Sequence, residues 1–416
     1  MLLVMSSPGP ELVPAPAAPV AEVAGTQSAA PSSRQAAPSV KALGAFDPLA
    51  NRDDALGAIL ARAVAARGRM AQPPRAAAIQ VARYKIMGPW NSGQAVHETL
   101  TLLAIDRAIE KLLKDSVPLG SLLQSFERTR VPRLDEAKGH EFDPKHADYT
   151  HQQFIRGVVW ADDPKGELFD DAEGTTNYSS GINWGREFKA GEKGEFKADK
   201  SDLIARSHYG DLQFMHGMAS AAGESPAVTK QSMLGWARFL IDVATGRTKA
   251  ETLIKDVPAI AKLFPANAGW PIKRLLGNAK ASDIDTRQRA VGVLFHLIQD
   301  SHAHGHVDRD PKTGDVREFH AYGEQDDHAH GEHDYFGPGA NLGERVAATR
   351  GASGAIDRCV EVLVMIIKNA STDDIVKHVD QVVLKTTPTM TPAGAGEGLE
   401  KREPLPMGDP MGLGGF

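Results

Sequence analysis

The sequence predicts an all-α protein, and two observations carry that prediction. Between about residue 92 and residue 385, apolar side chains recur at the helical period in one segment after another. No βαβ alternation and no β-hairpin signature stands out between them. No internal repeat at solenoid spacing divides the chain. Its 416 residues allow one large or two medium domains, and 42% apolar content suffices for a sizeable core.

Residues 1–50 are Ala, Pro, Ser and Val with almost no charge, a composition that cannot bury a core, so a disordered leader is expected. Residues 51–87 hold a short helix and a linker: Asp53 and Asp54 cap a run through Leu56, Ile59, Leu60 and Val64. That helix is either a docking or packaging signal or a cap on the main body. The body is expected at 88–385. Gly88-Pro89-Trp90 is a break, and Ser92 opens a helix over about 92–114 with Val96, Leu100, Leu103, Ala104 and Ala108 on one face and His97 beside it. A weaker stretch with prolines 118, 132 and 144 leads to a helix near 147–160 carrying Phe154, Val158, Val159 and Trp160.

That helix runs into Ala161-Asp162-Asp163-Pro164. Acids at a helix C-terminus are unfavourable unless a cation matches them, so Asp162 is either a ligand or part of a solvated turn. Residues 164–200, rich in Gly, Lys, Glu and Asp, read as a long polar loop, a lid or mobile insertion. From 201 the helical texture returns in SDLIARSHYGDLQFMHGM, where His208 and His216 are alternatives that periodicity does not separate. An amphipathic helix is expected over 226–244, and others near 250–264, 284–303, 354–369 and 372–385. The Gly- and Pro-rich stretch 386–416 reads as a disordered tail.

The functional case starts at 293–324, VLFHLIQDSHAHGHVDRDPKTGDVREFHAYGE. His296 and Asp300 stand four apart, as do His320 and Glu324, so each pair occupies one helix face at ligand spacing, with His306 between them. The apolar run around His296 draws it and Asp300 into the interior, where an unpaired carboxylate is costly and a bound cation removes the cost. A lone histidine there would read as a core residue bonded to a carbonyl. Eight of the fifteen histidines fall between 296 and 333, however, and imidazole with carboxylate suits zinc among other first-row metals.

Net charge is −6, which argues against a polyanion clamp without excluding nucleic acid, since a metal can supply positive charge. Cys359 is the only cysteine, so neither a disulfide framework nor a thiolate site is expected. No apolar run is long enough for a transmembrane segment. MLLVMSSPGP lacks a basic n-region and gives no clear signal peptide.

Taken together, Trp90 followed closely by His97, Trp160-Ala161-Asp162, Ser207-His208-Tyr209-Gly210-Asp211, HLIQDSHAHGH and HAYGE resemble the zinc-dependent phospholipase C and single-strand nuclease superfamily. The resemblance covers about 88–385 and lies in ligand order and spacing. It implies a multi-helix fold holding three zinc ions in a cleft. Asp162, His208, His296 and Asp300 would hold one; His97, Asp300 and the backbone of Trp90 a second; His306, His320 and Glu324 a third. In secreted relatives the Trp is the mature N-terminus and its amine is a ligand, so only two ions are implied if the Trp90 amine is unavailable. The resemblance favours His208 over His216, which then packs behind the site, and gives no counterpart for His302, His304, His328, His330 or His333.

The implied reaction is phosphodiester hydrolysis by metal-activated water, with Asp162 orienting or deprotonating that water. Glu324 and the short gap from His306 to His320 lean toward a phospholipid head group; Trp-Ala-Asp leans toward single-stranded nucleic acid, for which Tyr178, Trp184 and Tyr322 are the candidate stacking platforms. Phospholipid implies peripheral membrane contact. A non-catalytic, His-rich metal-binding protein is the alternative from another class. LGAILARAVAARGR is similar to leaders on cargo of bacterial contractile injection systems, so a secreted or injected effector is expected over a cytoplasmic enzyme.

Overall fold

A computed structural model describes residues 95–123, 153–167, 178–197, 199–277, 284–333 and 335–401. All of them belong to the larger of the two units into which the chain divides, Pro48–Phe416. Trp90, the helix expected near 53–64 and residues 402–416 lie outside the described residues. Those described are mostly helical, with one two-stranded sheet.

The first helices are α1 (Val96–Lys114), α2 (Gln153–Val158), α3 (Tyr178–Glu192), α4 (Leu203–Tyr209), α5 (Pro226–Ala244), and the short α6 (Pro258–Ala261) and α7 (Ile272–Leu276). The central helix α8 (Thr286–Asp300) leads into the hairpin β1 (Val307–Arg309) and β2 (Val316–Phe319). Then come α9 (Asp327–Glu332), α10 (Leu342–Ala348), α11 (Ala352–Ile367) and α12 (Thr372–His378), the last running into a π turn at Val379–Val383.

The fold is built around α8. Asp285 caps it by accepting from the backbone N–H groups of Arg287 and Gln288, and buried side chains occupy it from Gln288 to Asp300 without interruption. A helix buried on every side must have neighbours all round: α2, α5, α1 and α11 pack against it. The tightest approach is to α2. A Cβ on Gly292 would stand 2.2 Å from Phe154 O, and one on Gly157 would stand 2.3 Å from Arg289 O. Paired glycines let the two backbones touch, which brings the end of α2, and Asp162 beyond it, onto the last turn of α8.

Four segments differ from the sequence reading. The polar stretch 164–200 contains α3, because Trp184 and Phe188, four apart, bury one face of an otherwise polar helix. The expected helix at 250–264 is instead a 3-10 turn at Ile254–Asp256 and the single turn α6, since Pro258 and Pro265 interrupt the run. A β-hairpin follows α8: Val307 pairs with Phe319, and Asp310 closes the turn by accepting from Lys312 N and Thr313 N. The hairpin returns the chain so that His320 N donates to His306 O at 2.9 Å.

Residues 386–401 do not form a loose tail. Ala321 N donates to Gly394 O, Asp326 N to Leu399 O and Gln325 Nε2 to Ala395 O, and Leu399 is fully buried. This strap lies on the turn that follows β2, with Gly396 at φ +88° against the His320 ring, where any Cβ would fall 2.3 Å from Cε1. Only glycine fits there.

Candidate metal centre

Four helical segments bring the polar cluster together: the start of α1 supplies His97, the turn after α2 Asp162, the 3-10 turn Gln213–His216 its last residue, and the last turns of α8 His296 and Asp300. Two groups of three result, His97–His296–Asp300 and Asp162–His216–His296, each with its ligand atoms within 4.8 Å of one another and every member buried. His296 belongs to both.

The polar atoms stand at hydrogen-bond spacing around Asp300, slightly closer than the ligands of one zinc. Asp300 Oδ2 lies 2.9 Å from His296 Nε2 and 3.0 Å from His216 Nδ1, while Oδ1 lies 3.2 Å from His97 Nε2. His296 Nε2 and His216 Nδ1 are 2.9 Å apart. Two atoms each bound to one tetrahedral zinc would stand about 3.3 Å apart.

The outer nitrogens test whether these residues fit a metal. A ligating imidazole commonly donates its second N–H to a carbonyl or carboxylate, which fixes the tautomer and aims the other nitrogen. His296 Nδ1 donates to Val158 O at 2.6 Å, and His97 Nδ1 lies 2.5 Å from Gln299 Oε1. His208 Nδ1 donates to Ile204 O at 2.6 Å, His306 Nδ1 to His216 O at 2.7 Å and His320 Nδ1 to Gly305 O at 3.1 Å. In these last three the Nε2 atoms are buried with no hydrogen-bond partner. Burying such an atom unmatched costs on the order of 1–3 kcal/mol, and a bound cation removes that cost. The residues fit a metal.

Electrostatics agree with a cationic occupant. Burial pushes the Asp300 carboxyl up, but His296, His306 and His97 outweigh it and hold the group well below the usual carboxylate range. Burial also opposes charge on His296, yet Asp300 and Asp162 pull its pKa up to about 9. Burial takes His216 down to about 4 and lowers His306. His216 and His306 are thus kept neutral, the protonation state a metal requires, while His296 holds a proton that a bound cation would displace.

The sequence-predicted residues fall into three sets. His97, Asp162, His296 and Asp300 come together. His208 stands one ring further out, its ring centroid 5.3 Å from that of His216 and its edge against Trp184 and Phe188; among the described residues, His216 shares the group with Asp162 and His296. His306 and His320 are buried nearby, but Glu324 is exposed, and the three form no such group among the described residues. Trp90 lies outside the described residues. Two residues the sequence reading did not single out as part of the site also belong to it: Gln299, and Val158 through its carbonyl.

Trp184 and Tyr322, expected as exposed stacking platforms, are buried, and Trp184 Nε1 donates to Asp162 O at 2.8 Å. The side chain of Tyr178 lies outside the described residues. Compared with known proteins, the chain matches no family model, no curated protein and no solved structure.

The arrangement ranks the two histidines left open by periodicity. His216→Ala should weaken zinc binding by more than the roughly 10- to 100-fold that loss of an outer partner costs, and His208→Ala by no more than that range. Competition against a chromophoric chelator measures both. The reverse order would place His208 on the ion and His216 behind it.

Proposed function

We propose that this chain is a zinc-dependent phosphodiester hydrolase of the phospholipase C kind. The observation that supports the reading is the convergence of His97, Asp162, His216, His296 and Asp300, drawn from segments up to about two hundred residues apart, into two groups sharing His296. Val158 O, Gln299 Oε1 and Ala161 O hold one nitrogen each of His296, His97 and His216, and the other nitrogen of each ring turns toward the Asp300 carboxylate, as the ligands of one metal centre would. Cys359 is a buried thiol pushed well up by burial, so it stays protonated beside Gln299.

Zinc held here supplies Lewis acidity and brings water within reach of ionisation near neutral pH. The protein's share is positional. Val158 O and Gln299 Oε1 fix His296 and His97. His296 ties the two groups together, and Asp300 reaches His97 through Oδ1 and His216 through Oδ2. Asp162, 1% exposed and within the second group, would take the proton from water held at the centre. His306 and His320 offer further unmatched nitrogens, and with Glu324 exposed, the support for a further ion on that side is imidazole alone.

Phospholipid is the better reading of the substrate. A single-strand nuclease needs exposed rings for base stacking, and two of the three candidate platforms are inside the core. No helix among the described residues is long and apolar enough to cross a membrane, so contact with lipid would be peripheral. The test is turnover of phosphatidylcholine vesicles and of single-stranded DNA by zinc-loaded protein. Release of the phosphorylated head group, ended by a chelator and restored by zinc, is the expected result. Cleavage of the DNA alone would select the nuclease reading, and tight zinc binding with neither activity would select a non-catalytic metal protein.

A further inference from the structure

Gln299 precedes Asp300 by one residue and is fully buried, yet it belongs to neither group of would-be ligands. Its position on α8 puts it one turn after His296, on the same face, and next in sequence to Asp300. On α1, His97 and Thr101 are also one turn apart. Gln299 forks between them: Oε1 lies 2.5 Å from His97 Nδ1, and Nε2 donates to Thr101 Oγ1 at 3.0 Å. The buried Cys359 thiol also bonds to it.

The fork decides which tautomer His97 adopts. With the amide nitrogen engaged by Thr101, the amide oxygen is the atom presented to the ring, and an oxygen can only accept. Nδ1 must then carry the proton, which leaves Nε2 as a lone pair aimed at Asp300, 3.2 Å away. A ring turned or protonated the other way would present N–H to that carboxylate and could not bind a cation. The stacking of the His97 and His296 rings, 4.2 Å apart at 23°, leaves the imidazole little other freedom.

We propose that Gln299 is the positioning residue that holds His97 in its metal-ligating tautomer, with Thr101 holding Gln299 in turn. The proposal rests on the metal-binding reading of this cluster but not on the hydrolase reading. It assigns to a glutamine amide the place that a carboxylate or backbone carbonyl usually fills behind a ligating histidine.

The experiment compares full-length wild type with Gln299→Met, which keeps the length and removes the acceptor, and Gln299→Glu, which keeps the acceptor. Zinc affinity is measured by chelator competition, and the visible spectrum of the cobalt(II)-loaded protein reports the ligand set. Gln299→Met should bind roughly 10- to 100-fold more weakly, with a changed cobalt spectrum, and Gln299→Glu should return close to wild type. Thermal unfolding of the metal-free proteins separates a packing role, for which both variants would lose affinity in step with stability. Should Gln299→Met fail to fold, Thr101→Val frees only the far end of the fork and should give a smaller loss in the same direction. Wild-type affinity and spectrum in Gln299→Met or, failing that variant, in Thr101→Val overturn the proposal, as does a Glu variant no better than Met. A wild type that binds no zinc overturns the metal reading with it, whereas zinc binding without phosphodiester turnover removes only the hydrolase reading and leaves this comparison standing.

Discussion

Asp300→Asn should abolish hydrolysis and leave the protein with little affinity for zinc, the largest effect expected of any single conservative change. The carboxylate is 1% exposed, and four imidazoles, those of His97, His216, His296 and His306, lie within 3.5 Å of it. An amide keeps the shape but removes the charge that these imidazoles surround, and its NH₂ is a donor aimed where a cation should sit. The metal-free protein should also suffer. Asp300 is what draws a proton onto His296, and breaking a buried pair by neutralising one partner costs about 3–5 kcal/mol. Chelator competition and denaturant unfolding of the same preparation read the two losses separately. An Asp300→Asn protein that binds zinc like wild type would remove Asp300 from the metal centre.

Gly292→Ala should be the most damaging change that adds only a methyl group. Its Cβ would stand 2.2 Å from Phe154 O and 2.6 Å from Val158 N, both backbone atoms that no rotamer change can move aside. Overpacking a core costs about 1–3 kcal/mol where side chains can yield, so the loss here should reach or exceed the top of that range. Parting α2 from α8 also takes Val158 O away from His296 Nδ1, so zinc affinity should fall although no ligand is altered. Gly157→Ala should do the same, and because the two glycines share one contact, the double variant should cost less than the sum. Gly185→Ala is the control: nothing lies within 4 Å of its Cβ, and alanine in a helix is favoured by about 1 kcal/mol. Equal unfolding midpoints for Gly292→Ala and Gly185→Ala would contradict the close crossing.

Much of this was legible in the sequence because one helix carries it. His296 and Asp300 are one turn apart inside an apolar run, so both their common face and their burial follow from spacing alone. His97 and Asp162 were legible only as singletons, each beside an apolar segment. The choice between His208 and His216 was not legible, because α4 ends at Tyr209 and the chain re-forms as a 3-10 turn closed by Gly217 at φ +67°, so eight residues of separation no longer mean one helix face. Gln299 carries no signal at all in a single sequence. The strap at 386–401 was misread for a related reason: its order comes from backbone hydrogen bonds to the turn after β2 and from one buried leucine, and neither appears in a Gly- and Pro-rich composition. For α3 the signal was present, two aromatics four apart, but outweighed by the polar residues between them.

The most direct test of the central claim is a zinc titration of the metal-stripped full-length chain in which bound zinc and phosphatidylcholine hydrolysis are followed together. The account predicts that activity rises from nothing with zinc taken up at the cluster, and that Asp300→Asn shows neither uptake nor turnover. Zinc bound equally by wild type and Asp300→Asn, with no phosphodiester cleaved by either, would contradict it.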